Sequence, residues 1–290
     1  MKYLYFPGCA LKGNGKAYEE SFQRVFKELN IELQELDDWN CCGATIYMSV
    51  NEMEAFTLAT RNLALAEKVS DELLIPCGGC FLALEKARRY INDYPEVGQK
   101  VREALKTQGL EYHGKIKLRH PIEVLVEDYG VDEIAKRVKV PLKGLKVAPY
   151  YGCQIVRPYS NFDNPDNPTM IERILEALGA TVVSFPLKTK CCGGILTGAC
   201  PEVGLEHTYH LLDAAQQLDA DLMVTICALC HFNLDSYQDK ISKHFGKVNM
   251  PVLYFPQIVG VALGIPGKEI GLKRNIISAE PVLEEMGLCH

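Results

Sequence analysis

Ten cysteines of this 290-residue chain fall into two matching sets. Cys9 stands alone, Cys41-Cys42-Gly43 follows, and Cys77-Gly78-Gly79-Cys80 closes the first set. Cys153, Cys191-Cys192-Gly193-Gly194 and Cys227-Ala228-Leu229-Cys230 form the second. In both sets 34 residues separate the double cysteine from the closing Cys-x-x-Cys, and the lone cysteine precedes the pair by 31 intervening residues in one and 37 in the other. Thiolates ligate zinc and iron–sulfur groups, and a Cys-x-x-Cys can also serve as a redox dithiol. A dithiol needs neither the adjacent pair nor the distant cysteine. Structural zinc takes four ligands, and so does an ordinary iron–sulfur cluster. Five thiols per set leave either a spare thiol or an iron arrangement in which one thiolate bridges or an extra iron is capped. The repeat favours iron, with zinc and a dithiol open on spacing alone.

Neighbouring side chains diverge, so aiming two adjacent cysteines inward needs a tight turn. Gly43 and Gly193-Gly194 can supply the positive φ of such a turn. Cys80 and Cys230 fall in the first turn of expected helices, where the helix dipole and free N–H groups favour a thiolate.

The elements that must position these thiols alternate between strand and helix. Residues 2–6 read as a strand, 17–29 as an amphipathic helix with Phe22, Val25, Phe26 and Leu29 on one face, and 31–36 as a strand. Helix 51–69, strand 72–75 and helix 81–92 follow. Residues 93–114 are charged and carry no assigned element, 116–119 read as a strand, and Pro121 opens a helix to Tyr129. Residues 138–144 are the expected linker. The order then repeats: strand 146–150, helix 169–178, strand 181–185, helix 201–218, strand 222–226, one helix from the second Cys-x-x-Cys to about residue 243, and strand 252–255. Pro256 opens a last helix to residue 263 as Pro121 does in the first half, and residues 267–290 show no clear period. The expected fold is α/β, with two duplicated Rossmann-like βαβ domains, 1–142 and 143–290, and mostly parallel sheets. Functional groups of such sheets gather beyond the C-terminal ends of the strands. Every cysteine of the pattern follows a strand, so folding brings five thiols to one rim in each half.

Composition bounds the function. Hydrophobic content of 48% and charged content of 23% describe a globular protein, and the length suffices for two domains that each bury roughly 68% of their unfolded surface. The net charge of −6, with no basic stripe, argues against nucleic acid as a partner. Apolar runs are far shorter than the roughly 20 residues of a membrane span, and the N-terminus lacks a secretory signal. The expected location is the cytoplasm, where grouped cysteines are metal ligands or redox groups rather than disulfides. No flavin or nicotinamide fingerprint is present, so electrons must come from partners. Cys200 and Cys289 have no counterpart in the first half and read as ordinary cysteines; His207 and His210 read as surface histidines.

The paired sets resemble those of the B-subunit family of the heterodisulfide reductase of methanogenic archaea, in which two CCG cysteine-rich domains make up one chain. The resemblance spans nearly the whole sequence and all ten patterned cysteines. It implies two non-cubane 4Fe–4S clusters, one on Cys9, Cys41, Cys42, Cys77 and Cys80, the other on Cys153, Cys191, Cys192, Cys227 and Cys230. It implies an oxidoreductase, the catalytic component that reduces the heterodisulfide of coenzyme M and coenzyme B to two thiols in the last step of methanogenesis. Electrons would arrive from two partners in the complex, one ferredoxin-like and one flavin-containing, with a hydrogenase or formate dehydrogenase upstream. Two clusters facing each other would each take one sulfur of the short S–S bond, near 2 Å long, and cleave it between them. The CCG signature also occurs in disulfide-reducing or electron-transfer subunits of fumarate, lactate, glycolate and succinate oxidoreductases, which is the alternative function.

A substrate of this class ends in sulfonate, phosphate and carboxylate groups, which neighbouring thiolates repel. Lys12, Arg157, Lys188 and Lys190 flank the cysteines and are candidates for binding those ends. His231, directly after the second Cys-x-x-Cys, is a further candidate substrate contact and proton donor.

Overall fold

A computed structural model describes residues 1–44, 46–159 and 162–288. Its strands are β1 (Lys2–Tyr5), β2 (Glu32–Glu35), β3 (Glu72–Leu74), β4 (Lys117–Arg119), β5 (Lys146–Tyr150), β6 (Thr181–Val182), β7 (Leu222–Thr225) and β8 (Val252–Tyr254). They form two sheets of four, ordered β2-β1-β3-β4 and β6-β5-β7-β8. All pairings are parallel: Leu4 lies between Gln34 and Leu73, and Val147 between Val182 and Leu222. The α/β duplication expected from the sequence is the observed architecture.

This strand order positions the cysteines. The chain leaves β1 toward β2 on one side and crosses to β3 on the other, so a crevice opens beyond the C-terminal ends of β1 and β3. Cys9 follows β1 and Cys77 follows β3, just as Cys153 follows β5 and Cys227 follows β7. The double cysteines follow the neighbouring strands β2 and β6. The supporting helices form for ordinary reasons. Lys16–Glu28 buries Tyr18, Phe22, Val25 and Phe26 at spacings of three and four. Asn51 caps Glu52–Glu67 by accepting from the Glu54 N–H at 3.2 Å.

The structure differs locally from the sequence reading in several places. Residues 93–114 contain the helix Pro95–Lys106, begun by proline at its first position, with Val101 and Leu105 buried. The helix after the second Cys-x-x-Cys is two, Ala228–Ser236 and Gln238–His244, parted at Tyr237. Strand β6 is only two residues long; Val183 still donates to Val147 O at 2.9 Å, and the chain then turns away toward Cys191. Residues 267–288 hold two single turns of 3-10 helix and the helix Glu280–Glu285.

The tail ties the halves together. Arg274 pairs with Glu20 at 2.7 Å, and Arg24 with Glu269 at 2.8 Å. Ile270 comes so near Gly260 that a Cβ there would meet it at 2.8 Å. Helix Phe255–Ala262 lies against Lys16–Glu28, and one apolar cluster runs from Leu4 and Phe26 through Val259 to Leu283. A division at residue 142 therefore cuts a shared core; a second, smaller cluster lies wholly in the later half. Asn275 fastens the tail to the later half: its Nδ2 donates to Val252 O at 2.9 Å and its Oδ1 accepts from Gln257 at 3.2 Å. Asn275→Ala removes these bonds while Val252 O keeps His231 and Gln257 keeps the carbonyls of Ile270 and Gly271, and it is expected to lower stability by about 1 kcal/mol, read by urea unfolding.

Candidate metal centre

The ten patterned cysteines meet in one line. Cys9 contacts Cys41, Cys41 contacts Cys42, and Cys42 contacts Cys80 at 3.2 Å between sulfurs. Cys80 contacts Cys77, and Cys77 reaches across to Cys227 of the other half. From there the line repeats in reverse through Cys230, Cys192, Cys191 and Cys153. Its middle is buried and its ends surface: Cys42, Cys77, Cys80, Cys192, Cys227 and Cys230 are buried, whereas Cys9 and Cys41 are exposed. No disulfide joins the described cysteines.

Glycines make this crowding possible. Gly8 and Gly152, each just before a lone cysteine, have φ of +68° and +74°. A Cβ on Gly8 would lie 2.9 Å from Cys80 Sγ, and one on Gly152 would lie 2.9 Å from Cys230 Sγ. Gly43 and Gly193 take φ of +73° and +91°, the conformation that turns both members of each cysteine pair inward. Backbone N–H groups then point at sulfur. Gly43 and Ala44 serve Cys41 and Cys42; Gly193 and Gly194 serve Cys191 and Cys192. The N–H of Cys80 serves Cys77, and those of Cys230 and Leu229 serve Cys227.

The protons along the line are shared unevenly. Hydrogen bonds from Cys42 and Cys9 pull Cys41 down to about 2, and those from Cys153 and Cys192 pull Cys191 down to about 2. Donation to Cys41 pushes Cys42 up to about 12, and donation to Cys191 does the same to Cys192. Cys227 is held low by Cys230 and Cys77. The three low sulfurs are kept apart by protonated ones, because adjacent bare anions would repel each other. Metal cations can take the place of those protons. An all-sulfur donor set, glycines that leave room only for sulfur, and N–H groups aimed at thiolates fit an iron–sulfur group.

A cavity of about 340 Å³ opens on the later half of the line. Its wall includes Cys153, Cys191, Cys192, Cys227 and Cys230, together with Tyr151, Gln154, Ile155 and Leu196. Gly78 and Ser49 of the first half close it, so both halves contribute.

The five candidate substrate contacts have different surroundings. Lys12 is bound to Glu19 at 2.5 Å and Glu35 at 2.7 Å. Lys188 is bound to Glu172 at 2.5 Å and to Pro168 O at 2.6 Å. Arg157 is exposed and donates to Thr189 O at 2.7 Å, bracing the approach to Cys191. Lys190 is exposed beside that cysteine. His231 is buried, stacked on Tyr254 at 3.9 Å and bonded to Val252 O at 2.8 Å, and burial pushes its pKa down to about 4. His207 and His210 are exposed, as is Cys200; Cys289 lies outside the described residues.

Sequence reasoning missed Asn233, whose Nδ2 donates to Cys192 O at 3.2 Å and Gly194 O at 2.9 Å and reaches Cys192 Sγ at 3.6 Å. Its place three residues after Cys230, on the same helix face, was an available signal. Gln154 and Tyr151, beside Cys153, were also overlooked.

A family model described as cysteine-rich domain matches the chain twice, over residues 3–85 and 147–235. The chain is 35% identical to the membrane anchor component of the 8-methylmenaquinol:fumarate reductase of Wolinella succinogenes, across 96% of this chain and 98% of that one. It is 30% identical to the B subunit of the ferredoxin:CoB-CoM heterodisulfide reductase of Methanosarcina mazei, across 95% and 94%. Among solved structures, a hypothetical protein from Helicobacter pylori shares the fold with a TM-score of 0.78 at 19% identity; this chain spans 96% of its own length and 52% of that one. Among the described residues no helix is long and apolar enough to cross a membrane.

The glycine cradle is open to test. Gly8→Ala and Gly152→Ala each force a Cβ against a buried sulfur in a left-handed backbone, and are expected to cost about 1–3 kcal/mol and to lower the iron retained per chain. Gly198→Ala, where nothing lies within 4 Å, is the control and leaves both readings unchanged.

Proposed function

The chain belongs to the cysteine-rich CCG family, in the branch that holds the B subunit of heterodisulfide reductase, and from that premise we propose that it reduces the heterodisulfide of coenzyme M and coenzyme B to the two thiols. One observation carries the reading: five sulfurs from each half meet at Cys77 and Cys227, beside a cavity that both halves wall. Reducing a disulfide takes two electrons and two protons and leaves two thiols. Two adjacent one-electron sites match that stoichiometry.

Cys9, Cys41, Cys42, Cys77 and Cys80 would hold one non-cubane 4Fe–4S cluster, and Cys153, Cys191, Cys192, Cys227 and Cys230 the other. When bound, such groups supply electrons singly. The rest falls to the chain itself. Ile155 and Leu196 give the cavity an apolar wall. Gln154 offers an amide in the same wall. Arg157 and Lys190, exposed beside the second site, draw in the anionic ends of the substrate, since Lys12 and Lys188 are already neutralised by carboxylates. Tyr151 donates its hydroxyl hydrogen bond to Glu172, which also takes Lys188; these bonds hold the tyrosine in place in the cavity wall.

Electrons would enter from a ferredoxin-like partner and a flavin-containing partner, fed by a hydrogenase or formate dehydrogenase, in one cytoplasmic complex. Unpaired thiols suit a reducing compartment. The 35% identity to a component of a fumarate reductase favours a second reading, in which the chain passes electrons within a fumarate-reducing complex.

Anaerobically purified protein is expected to contain about eight irons and eight acid-labile sulfides per chain, and to reduce the mixed disulfide with an artificial electron donor. Iron-loaded protein without that turnover favours the second reading; colourless, iron-free protein removes both. Arg157→Ala and Lys190→Ala are expected to raise KM roughly tenfold with little change in kcat, the signature of lost uniform binding.

A further inference from the structure

The two Cys-x-x-Cys turns are joined at their roots by one imidazole. His120 follows β4 and is wholly buried. Its Nε2 lies 2.9 Å from the carbonyl oxygen of Pro76 and 3.3 Å from that of Ile226. Pro76 immediately precedes Cys77, and Ile226 immediately precedes Cys227. Nδ1 accepts from the Ile122 N–H at 3.2 Å, so the neutral ring carries its proton on Nε2, directed at the two carbonyls. Burial keeps the ring neutral, pushing its pKa down to about 4. Tyr18, fully buried, donates to Ile226 O at 3.2 Å and lies 3.3 Å from the same Nε2. The rings of Phe162 and Phe255, each 5.9 Å from the imidazole, enclose it.

The arrangement breaks the symmetry of the duplication. His120-Pro121 follows β4, and Phe255-Pro256 follows β8. A phenyl ring donates nothing, so one histidine serves both halves.

We propose that His120 is a positioning residue that sets the separation of the two cysteine sites by holding the carbonyls of Pro76 and Ile226 on a single N–H. This deepens the functional reading above and rests on it. Each held carbonyl belongs to the peptide that leads into a cysteine, so fixing it fixes the cysteine's backbone. The two turns already touch: a Cβ on Gly78 would lie 3.5 Å from Cys227 Sγ. A disulfide is a rigid unit about 2 Å long, and two sites that serve its two sulfurs must keep their spacing. Misplacement by about 1 Å costs on the order of 10²-fold in rate.

The test compares His120→Phe, which copies the second half, with His120→Gln, whose amide can restore the donor. Full-length protein is purified anaerobically and measured for iron, for the magnetic interaction between its two reduced sites by EPR, and for turnover with an artificial donor. His120→Phe is expected to keep wild-type iron, change the EPR interaction, and lower kcat by roughly ten- to a hundredfold; His120→Gln recovers much of both. Wild-type EPR and kcat in His120→Phe overturn the proposal, and so does a His120→Gln no better than His120→Phe. Should His120→Phe not fold, Tyr18→Phe must show the same spectral shift in weaker form, and an unchanged spectrum refutes the clamp. Iron-free wild-type protein refutes the functional reading instead. The clamp is then read by diamide oxidation, which should join Cys77 to Cys227 readily in wild type and at less than half that rate in His120→Phe; equal rates overturn it.

Discussion

Ten sulfurs brought into mutual contact cannot all be anions, and the structure follows from how that repulsion is relieved. In the chain alone, charge settles on separated members of the line, Cys41, Cys227 and Cys191, with protonated sulfurs between them. Backbone N–H groups at the two cysteine pairs and at the two helix N-termini supply partial positive charge. Neither device adds a full cation, and the basic side chains Lys12 and Lys188 are spent on Glu19, Glu35 and Glu172. A site so rich in soft donors and so poor in fixed positive charge is built for metal, which brings its own.

Duplication explains why the line has a middle. Each half places its Cys-x-x-Cys at the crevice between the first and third strands, and the two crevices face each other. The contact of Cys77 with Cys227 is the point where the repeat meets itself. Exact symmetry stops there. Beneath the contact, Tyr18 and Tyr254 stack at 4.6 Å, His231 stacks on Tyr254, and His120 stands where the second half has phenylalanine. Stacked aromatic pairs add about 0.5–1.5 kcal/mol beyond their buried area. A seam of this kind is rigid, and rigidity suits two sites that must act on one bond.

Much of this was readable in advance because it is local. Strand-then-cysteine is a short-range pattern, and the glycines beside the pairs announced their turns. The helix Pro95–Lys106 was also readable: Val97, Val101 and Leu105 recur at helical spacing after a proline, but the density of charge around them hid the stripe. What could not be read depends on distant partners. Nothing near Lys12 in the chain foretells that Glu35 will arrive from β2 to neutralise it, and the charge of a cation says little until its counterion is placed. His120 is the extreme case, since its two acceptors lie 44 and 106 residues away and derive their meaning from cysteines that it never touches.

The shared core bears on how such a site can be assembled at all. Helix Phe255–Ala262 of the second half packs on Lys16–Glu28 of the first, and the tail returns from the end of the chain to grip that same helix through Glu20 and Arg24. Neither half can shift without disturbing apolar surface that both bury, and interiors close-packed to crystal density resist small shifts strongly. The spacing of the two cysteine sites is therefore set twice: broadly by the joint core, and finely by the hydrogen bonds at the roots of the Cys-x-x-Cys turns. The coarse constraint keeps the halves together, and the fine one decides whether two sulfurs of a single bond can be met at once.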